Sequence, residues 1–295
     1  MTVSKRVVPP AAARPSRWEG LREAISPVLS SKVALVGLGI VVFWVLMAVF
    51  APILTPYDPI RDQDWEVPNI GPSAAHPLGT DDLGRDLLSR LLHGARTILV
   101  LAPFAVLCSL LVGSTLGLVA GYVGGITDEV VMRILDAMMA FPTILLFLII
   151  IAALGASPTN VVIAITIGGA PGIARLVRSL AMDIRTRDYI AAAELRGESV
   201  LYIMFVEILP NARGPIIVDA MLRVGYAVFS IGTLGFLGLG LPPPSPDWGS
   251  MVARGRLYIW SNPWAVLWPS LAISSLVVGL NLFADGLREE TMRYQ

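Results

Sequence analysis

The sequence predicts an all-α polytopic membrane protein that crosses the bilayer six times. Hydrophobic residues make up 55% of the 295 residues and charged residues only 15%, whereas soluble domains carry about a quarter charged residues. Long stretches without any charge recur along the chain, and each is close to the ~20 residues that a helix needs to span the hydrocarbon core. The formal net charge is zero, which argues against nucleic-acid binding. The lipid bilayer is therefore the solvent expected for most of this chain.

The N-terminal third divides into a tail, one span and a polar loop. Residues 1–32 are rich in Pro, Ala and Arg and lack a cleavage-site pattern, so they are predicted to form a cytoplasmic tail. Residues 33–57 carry no charge and are predicted to form the first transmembrane helix, and residues 58–96 an external loop. Within this loop Thr80 or Asp81 can cap a helix that lies along the membrane surface. The apolar face of that helix would consist of Leu83, Leu87, Leu88, Leu91 and Leu92.

The predicted transmembrane core, residues 97–284, contains five further spans and a cytoplasmic loop at residues 181–213. The spans are expected at about 97–127, 128–154, 160–173, 215–241 and 264–284, each as one continuous helix. Prolines at 242–244 and 246 prevent the fifth span from continuing. An interfacial aromatic belt is predicted from Trp248, Tyr258, Trp260, Trp264 and Trp268. Residues 285–295 are predicted to be a cytoplasmic C-terminal tail.

The distribution of basic residues predicts the orientation. Of the 22 Lys and Arg residues, 15 fall in segments that this arrangement places inside and six in segments that it places outside. Because cytoplasmic loops carry the excess of Lys and Arg, both termini are expected in the cytoplasm.

The loop between the fourth and fifth spans carries a recognisable motif. Ala191, Ala192 and Ala193 are followed after three residues by Gly197, and Glu207-Ile208-Leu209-Pro210 begins ten residues after that glycine. Small residues allow close backbone approach to another protein, and Gly197 is predicted to end a short helix with a positive φ. The stretch resembles the EAA loop of ABC-importer permeases, with Ala191 at the position of the leading glutamate. The resemblance implies contact with a separate ATPase through Tyr189, Ala191, Ala192, Ala193, Glu194, Gly197, Glu207, Leu209 and Pro210. The alternative is a good helix former in a connecting loop.

A second motif precedes the second span. His76-Pro77-Leu78-Gly79-Thr80-Asp81 is followed by Gly84-Arg85-Asp86 and Ser89-Arg90. This pattern resembles the second membrane subunit of dipeptide and oligopeptide importers. It implies an external docking and gating surface for a delivery protein, formed by His76, Gly79, Thr80, Asp81, Gly84, Arg85 and Asp86. The alternative is a surface helix that merely holds the first two spans together.

Two more stretches extend the resemblance over roughly residues 76–290. They are the G-Y-x-G-G, D-x-x-x-M-R-x-x-D and F-P elements within residues 121–142 and the glycine- and proline-rich residues 234–249. The resemblance implies a type I ABC-importer (MetI-like) permease fold in a bacterial or archaeal plasma (inner) membrane. The implied partners are a homologous second permease subunit, two ATP-binding subunits and an external solute-binding protein. ATP and Mg²⁺ would bind to the partner ATPase subunits, and we expect no cofactor, metal or catalytic residue in this chain.

Asp219 and Arg223 are charged residues within the fifth span, four residues apart and therefore on one helix face. We expect a mutually neutralising pair close to the cytoplasmic end. A role in lining the transport path is the alternative, because charges at membrane depth face a partner or water.

These features favour a transport subunit without nucleotide-binding machinery. The only lysines, Lys5 and Lys32, are not in a glycine-rich phosphate-binding loop, so ATP would be hydrolysed by a partner. An ion-gradient-driven secondary transporter is the alternative, and it would predict internal repeats and ionisable residues near the membrane centre. An intramembrane serine protease would need a histidine in a span, and none is present. Whether the solute is a dipeptide, an oligopeptide, a metal chelate or a saccharide stays open.

Overall fold

The computed structural model describes residues 31–293, with side chains to residue 288, and this part of the chain folds as a bundle of α-helices. The helices are α1 (Lys32–Leu54), α2 (Leu87–Val123), α3 (Gly125–Met139), α4 (Thr143–Leu154), α5 (Pro158–Ile184), α6 (Asp188–Leu195), α7 (Leu209–Phe236), α8 (Trp248–Gly255) and α9 (Trp264–Arg293). The predicted tail at residues 1–32 lies outside the described residues except for its last two positions, as do residues 294–295 of the predicted C-terminal tail.

Five of the helices in the described part are long and apolar enough to cross a membrane. They are α1, α2, α5, α9 and the continuous helical segment Val200–Phe236 that contains α7. The pair α3 and α4 passes the same test only as one unit, and the two helices meet at an angle of 89°. The predicted class, an all-α polytopic membrane protein with up to six spans, is therefore confirmed.

The prediction of a continuous third span is wrong, because the helix breaks between Met139 and Thr143. Pro142 explains the break, since proline has no backbone N–H to donate and also disfavours helical geometry in the residue before it. Helix α4 alone has 12 residues and is ~18 Å long, too short to cross the hydrocarbon core. Helix α3 therefore turns away from α4 at one end of the bundle.

The prediction of a surface helix within the external loop is also wrong. Residues 55–86 form no helix, and α2 begins at Leu87 and continues for 37 residues, ~55 Å, to Val123. The N-cap is Asp86, whose carboxylate accepts from the backbone N–H of Ser89, rather than Thr80 or Asp81. Residues 87–102 contain no proline, so the helix can continue from Leu87 into the apolar stretch that follows. The expected amphipathic leucines are therefore the first turns of the second span.

Several other helices extend beyond their predicted ends: α5 continues to Ile184 and α9 to Arg293. Helix α1 is an exception, because it ends at Leu54 rather than at residue 57. The fifth span begins at Val200. The predicted loop at residues 181–213 is thereby reduced to two short links at 185–187 and 196–199, with α6 between them.

Helices α2 and α5 form the most extensive helix pair, and their contact depends on a row of glycines. Gly113, Gly117 and Gly121 lie four residues apart on α2. A Cβ atom on these glycines would lie 2.7, 2.5 and 2.7 Å from the carbonyl oxygens of Ala170, Ala174 and Arg178 of α5. Small residues at this spacing are the usual means by which membrane helices approach each other closely. The pair forms the centre against which neighbouring helices pack.

Two buried apolar clusters lie at different heights along this centre. One contains Trp44, Leu87 and Trp248 and lies towards the end of the bundle that carries residues 55–86, which we call the outer end after the predicted orientation. The other contains Leu118, Ile173 and Ile190 and lies at the opposite end, which we call the inner end. The two sequence motifs therefore occupy opposite ends of the molecule.

Candidate functional site

Helix α6 buries two of its residues in the inner end of the bundle. Ile190 and Ala193 are fully buried in the inner cluster, where they join Ile184, Ile203 and Ile208. The remainder of the helix faces outward. The exposed residues are Asp188, Tyr189, Ala191, Ala192, Glu194 and Leu195. Helix α6 therefore presents an exposed ridge, with the small residues Ala191 and Ala192 at its middle, on a base fixed to the membrane bundle.

Gly197 ends α6 in the way that the sequence predicts. Its φ is 78°, a left-handed conformation that glycine adopts without steric cost. The N–H of Gly197 donates to the carbonyl of Glu194 and the N–H of Glu198 to the carbonyl of Ala193, at 2.9 and 3.2 Å. This pair of bonds is a Schellman motif, which satisfies carbonyls at the helix end. The prediction of a positive φ at Gly197 is confirmed.

Two polar contacts tie the ends of α6 to neighbouring elements. The Tyr122 hydroxyl at the end of α2 donates to Glu194 Oε1 at 3.0 Å. Beyond the helix, Arg196 Nη2 lies 3.7 Å from Glu207 Oε1. Glu207 stands where the resembling family has an apolar residue or histidine, and Arg196 supplies the charge that compensates this carboxylate. In the preceding link, the hydrogen bond from Arg187 to Asp183 raises the pKa of the Arg187 guanidinium.

The Glu207–Pro210 stretch forms the joint between α6 and α7. Residues Ile203–Ile208 form a π-helical turn in which the N–H of Leu209 donates to the carbonyl of Met204, five residues back. Pro210 has no N–H, so the regular i to i−4 pattern cannot continue through it. The Asn211 side-chain amide instead donates to the carbonyl of Glu207 at 2.5 Å. A π turn in this position allows two helical registers to meet, and such turns often occur at functional sites.

The sequence reasoning missed the largest apolar side chain on the α6 ridge. Leu195 is 90% exposed at the C-terminal end of the helix. Phe205 and Leu201 are exposed nearby, on the segment that follows. A signal for Leu195 was present, because a leucine out of phase with the buried positions Ile190 and Ala193 must point away from the bundle. Exposed apolar residues next to small ones are typical of protein–protein contacts.

The motif at the outer end has the opposite arrangement, with its side chains turned inward. Thr80 is fully buried and donates from its hydroxyl to the carbonyl of Val67 at 2.6 Å. His76 stacks on the ring of Tyr57, and its Nδ1 lies 3.0 Å from Asp86 Oδ1. Gly79 and Gly84 have φ values of 91° and 69°. These residues therefore shape the loop from within.

The charged residues of the same motif form a buried network. Asp81 Oδ2 accepts from Arg85 Nε at 2.7 Å and lies 3.5 Å from Arg90 Nε. Arg90 also donates to the carbonyl oxygens of Pro59 and Ser245, linking the loop to the segment before α8. Arg85 and Asp86 are only 2% and 3% exposed. The expectation that these side chains themselves form the docking surface therefore needs correction: they hold the surface in shape, and the docking role stays a prediction.

Asp247 and Trp248 complete the outer end. Trp248 is fully buried, donates from Nε1 to the carbonyl of Leu91 at 2.8 Å and meets Trp44 edge-on, so its predicted place in an interfacial belt is wrong. Asp247 caps α8 by accepting from the N–H groups of Gly249 and Ser250. Burial raises the pKa of the Asp247 carboxyl from 3.8 to about 6. By contrast, hydrogen bonds from the backbone of Arg61 and Ile60 lower the pKa of the exposed Asp58.

Asp219 and Arg223 meet beside a cavity of about 310 Å³ between α2, α4, α5 and α7. Arg223 lies ~21 Å along α7 from Leu209 and ~20 Å from Phe236, near the middle of the helix. The expectation of a pair close to the cytoplasmic end is therefore wrong, because the fifth span begins at Val200 rather than near residue 215. The neutralising contact itself is present, since Arg223 Nε donates to Asp219 Oδ2. Whether Arg223 lines a transport path stays a proposal.

Comparison with protein-family models gives two matches. Residues 113–289 match the model described as binding-protein-dependent transport system inner membrane component. Residues 21–72 match the N-terminal transmembrane domain of oligopeptide transport permease C. The two matched ranges include α1 and most of the bundle described above.

Curated proteins with similar sequences carry related names. The chain is 45% identical to the dipeptide transport system permease protein DppC of Alkalihalophilus pseudofirmus over 91% of this chain and 88% of that protein. It is 41% identical to the glutathione transport system permease protein GsiD of Pectobacterium atrosepticum, over 84% and 83% of the two chains. The oligopeptide transport system permease protein OppC of Bacillus subtilis is 34% identical over 97% and 96%.

Among solved structures, the bundle is similar to a chain of the MetNI methionine ABC transporter in an inward-facing conformation. The TM-score is 0.54 at 20% sequence identity, and the match covers 69% of this chain and 95% of that chain. At this identity the similarity concerns the fold, and it agrees with the MetI-like architecture that the motifs imply.

Proposed function

This chain belongs to the family of inner membrane components of binding-protein-dependent transport systems, and we propose that it forms half of the translocation path of an ATP-driven peptide importer. The protein is a multi-pass membrane permease subunit and acts in transport rather than catalysis. The relatives give no support to the alternative of an ion-gradient-driven secondary transporter. The relatives named for dipeptides, oligopeptides and glutathione favour a short peptide as the solute.

The observation that carries this proposal is the exposed ridge of α6. A helix with two buried anchors and small residues at the middle of its outer face can enter a groove on another protein while its base transmits force to the bundle. Ile190 and Ala193 pack against α5 and the π-helical turn, so a displacement of α6 reaches α7 directly. In this proposal an ATPase subunit holds Leu195, Ala191 and Ala192, and nucleotide-driven closure of two such subunits moves the helices around the path.

The remaining partners follow from the same assignment. A homologous second permease subunit supplies the other half of the path, and ATP with Mg²⁺ binds to the two ATPase subunits. A solute-binding protein delivers the peptide to the outer end. The relatives reported above come from bacteria, and the bacterial inner membrane is the location that we propose.

The test of the coupling role compares two leucines at opposite ends of the protein. Leu195 on α6 and Leu257 at the outer end are 90% and 72% exposed, so an aspartate at either position should cost the isolated fold little. Leu195→Asp should abolish co-purification of the ATPase and peptide-stimulated ATP hydrolysis in the complete importer. Leu257→Asp should leave ATPase co-purification intact. Equal retention of the ATPase by both variants would contradict the coupling role of α6.

The energy source is tested in vesicles that contain the complete importer. Peptide uptake should require hydrolysable ATP on the cytoplasmic side and persist when ionophores collapse the ion gradients. Uptake that survives without ATP but stops on addition of ionophores would favour the secondary transporter instead.

A further inference from the structure

The cavity beside Arg223 is a partly enclosed space in the described bundle that the coupling role of α6 does not explain. It has a volume of about 310 Å³, near the lower limit of typical small-ligand pockets at ~300 Å³. Its wall contains both polar and apolar side chains. Arg223, Tyr226 and Ser230 lie on one face of α7, and Ser109, Thr143 and Phe147 face them from α2 and α4.

The glycines of α5 create the space that the guanidinium occupies. A Cβ at Gly172 would lie 2.9 Å from Arg223 Nη2, and Gly168 and Gly169 form part of the cavity wall. Nη1 of Arg223 donates to the carbonyl of Gly169 at 3.4 Å, a long hydrogen bond that places the guanidinium against α5. The side chain is 25% exposed, so the guanidinium is held in place and is still accessible from the cavity.

The guanidinium has hydrogen-bonding capacity to spare. Within the described residues, the guanidinium donates to the Asp219 carboxylate from Nε and to the carbonyl of Gly169 from Nη1. Because a guanidinium carries five N–H groups, donors on Nη1 and Nη2 remain for a ligand. A carboxylate is the group whose two oxygens match this planar pair of donors.

We propose that this cavity is a subsite for the C-terminal carboxylate of the transported peptide, with Arg223 as the residue that binds it. This inference rests on the proposed peptide import. It specifies which chemical group of the peptide this chain binds. Phe147 and Tyr226 provide an apolar and aromatic surface for the adjoining side chain, while Ser109 and Ser230 supply hydroxyls. Tyr226 is 67% exposed, and in this proposal a second permease subunit closes the open side of the cavity.

The contact with Asp219 suits a site through which the ligand only passes. A transport site must bind strongly enough for entry and weakly enough for release. The Asp219 carboxylate cancels part of the Arg223 charge and occupies Nε, so a peptide carboxylate meets only part of the guanidinium. Arg223 thereby selects a carboxylate without retaining it.

The experiment compares an acid with its amide in the complete importer. Uptake is measured for a dipeptide and for the same dipeptide with a C-terminal carboxamide, with wild-type chain, Arg223→Gln and Arg223→Lys. Arg223→Gln should lower uptake of the acid about tenfold relative to the amide, because one charged hydrogen-bonded contact is lost. Arg223→Lys, which keeps the charge but not the planar pair of donors, should give an intermediate ratio. Any preference of the delivery protein is the same for all permease forms and cancels in this comparison.

Arg213→Gln is the matched control, because Arg213 lies on the same helix, is exposed and is not one of the residues that line the cavity. It should leave the acid-to-amide ratio at the wild-type value. Co-purification of all subunits shows that each variant assembles. An equal loss of acid and amide uptake in Arg223→Gln, or no loss of either, would overturn the subsite while leaving peptide import standing. A wild-type importer that takes up neither compound would instead contradict the proposed function.

Discussion

The outer loop and helix α6 carry the two most recognisable motifs of this chain, and their side chains face in opposite directions. In the outer loop the charged residues turn inward, and Arg85 is 2% exposed although it carries a full charge. In α6 the apolar Leu195 turns outward and is 90% exposed. A polar motif can therefore be a structural frame, and an apolar residue can be the accessible part of a functional surface.

The difference follows from how the backbone N–H and C=O groups of each segment find hydrogen-bond partners. Helix α6 pairs its own N–H and C=O groups, so its side chains are free to face a partner. The outer loop has no helical or sheet ladder, and buried backbone groups need partners. Asp81 accepts from the N–H groups of Leu83 and Arg85, and Asp86 accepts from that of Ser89. The carboxylates of the motif therefore supplement the backbone hydrogen bonds of the loop, such as the one from the Asp81 N–H to the carbonyl of Arg85.

The two motifs are predicted to lie on opposite sides of the membrane. Reporter fusions after Arg196 should read cytoplasmic, and fusions after Arg85 or Arg254 should read external, as an all-or-none difference. The reason is the excess of Lys and Arg in the segments assigned to the inside. A cytoplasmic signal at Arg85 would contradict this arrangement, because it would place both motifs on the same side of the membrane.

Loss of the buried network should damage the protein more than any change on α6. Arg85→Ala leaves Asp81 buried without its nearest charge partner, and breaking a buried pair costs about 3–5 kcal/mol. We expect a large fall in the amount of protein recovered from membranes and in its thermal midpoint in detergent. Arg61→Ala, in the same loop but exposed, is the control and should change neither. Normal stability of Arg85→Ala would show that the network is not the frame of the loop.

At α6 the expected effect is on coupling rather than on folding. Gly197→Val adds at least ~1 kcal/mol of backbone strain at a φ of 78°, although no neighbouring atom within 4 Å would meet the new Cβ. The variant should insert and assemble with the second permease subunit but lose ATPase co-purification and peptide uptake. Gly197→Asn is the matched variant, because asparagine tolerates the left-handed region, and it should retain most of both. Wild-type coupling in Gly197→Val would make α6 only a connector.

The smallest effect concerns pH, and it should come from the outer end. The folded-state pKa of Asp247 is raised from 3.8 to about 6, so protonation favours the folded state and stability is lost as the pH rises through 6. Between pH 7 and pH 5 this group alone should add about 1 kcal/mol to the free energy of unfolding. Asp247→Asn keeps a capping side chain but cannot titrate. Thermal unfolding at several pH values should show a weaker pH dependence in Asp247→Asn, and identical profiles would contradict the assignment.

The sequence by itself determined the membrane class, the approximate number of spans and the two ends at which the motifs lie. These features depend on local composition, because a charge-free stretch of about 20 residues can satisfy its backbone in lipid only as a helix. The positive φ at Gly197 was predictable for the same reason, since the glycine follows a short helical run and needs no distant partner. The break in the third span was also predictable from Pro142, although the residues around it form a continuous apolar stretch that suggests an unbroken helix.

The direction of individual side chains was decided only by the tertiary structure. The burial of Trp248 depends on Trp44 and Leu91, which come from α1 and α2, and the inward turn of Arg85 depends on how the loop folds over the outer end. The depth of Arg223 depends on where the fifth span begins, and the π-helical turn before Pro210 lets the helix extend back from Leu209 to Val200. Its cavity depends on glycines in α5, about fifty residues away along the chain. Such contacts join distant segments through packing, and no local pattern of residues encodes them.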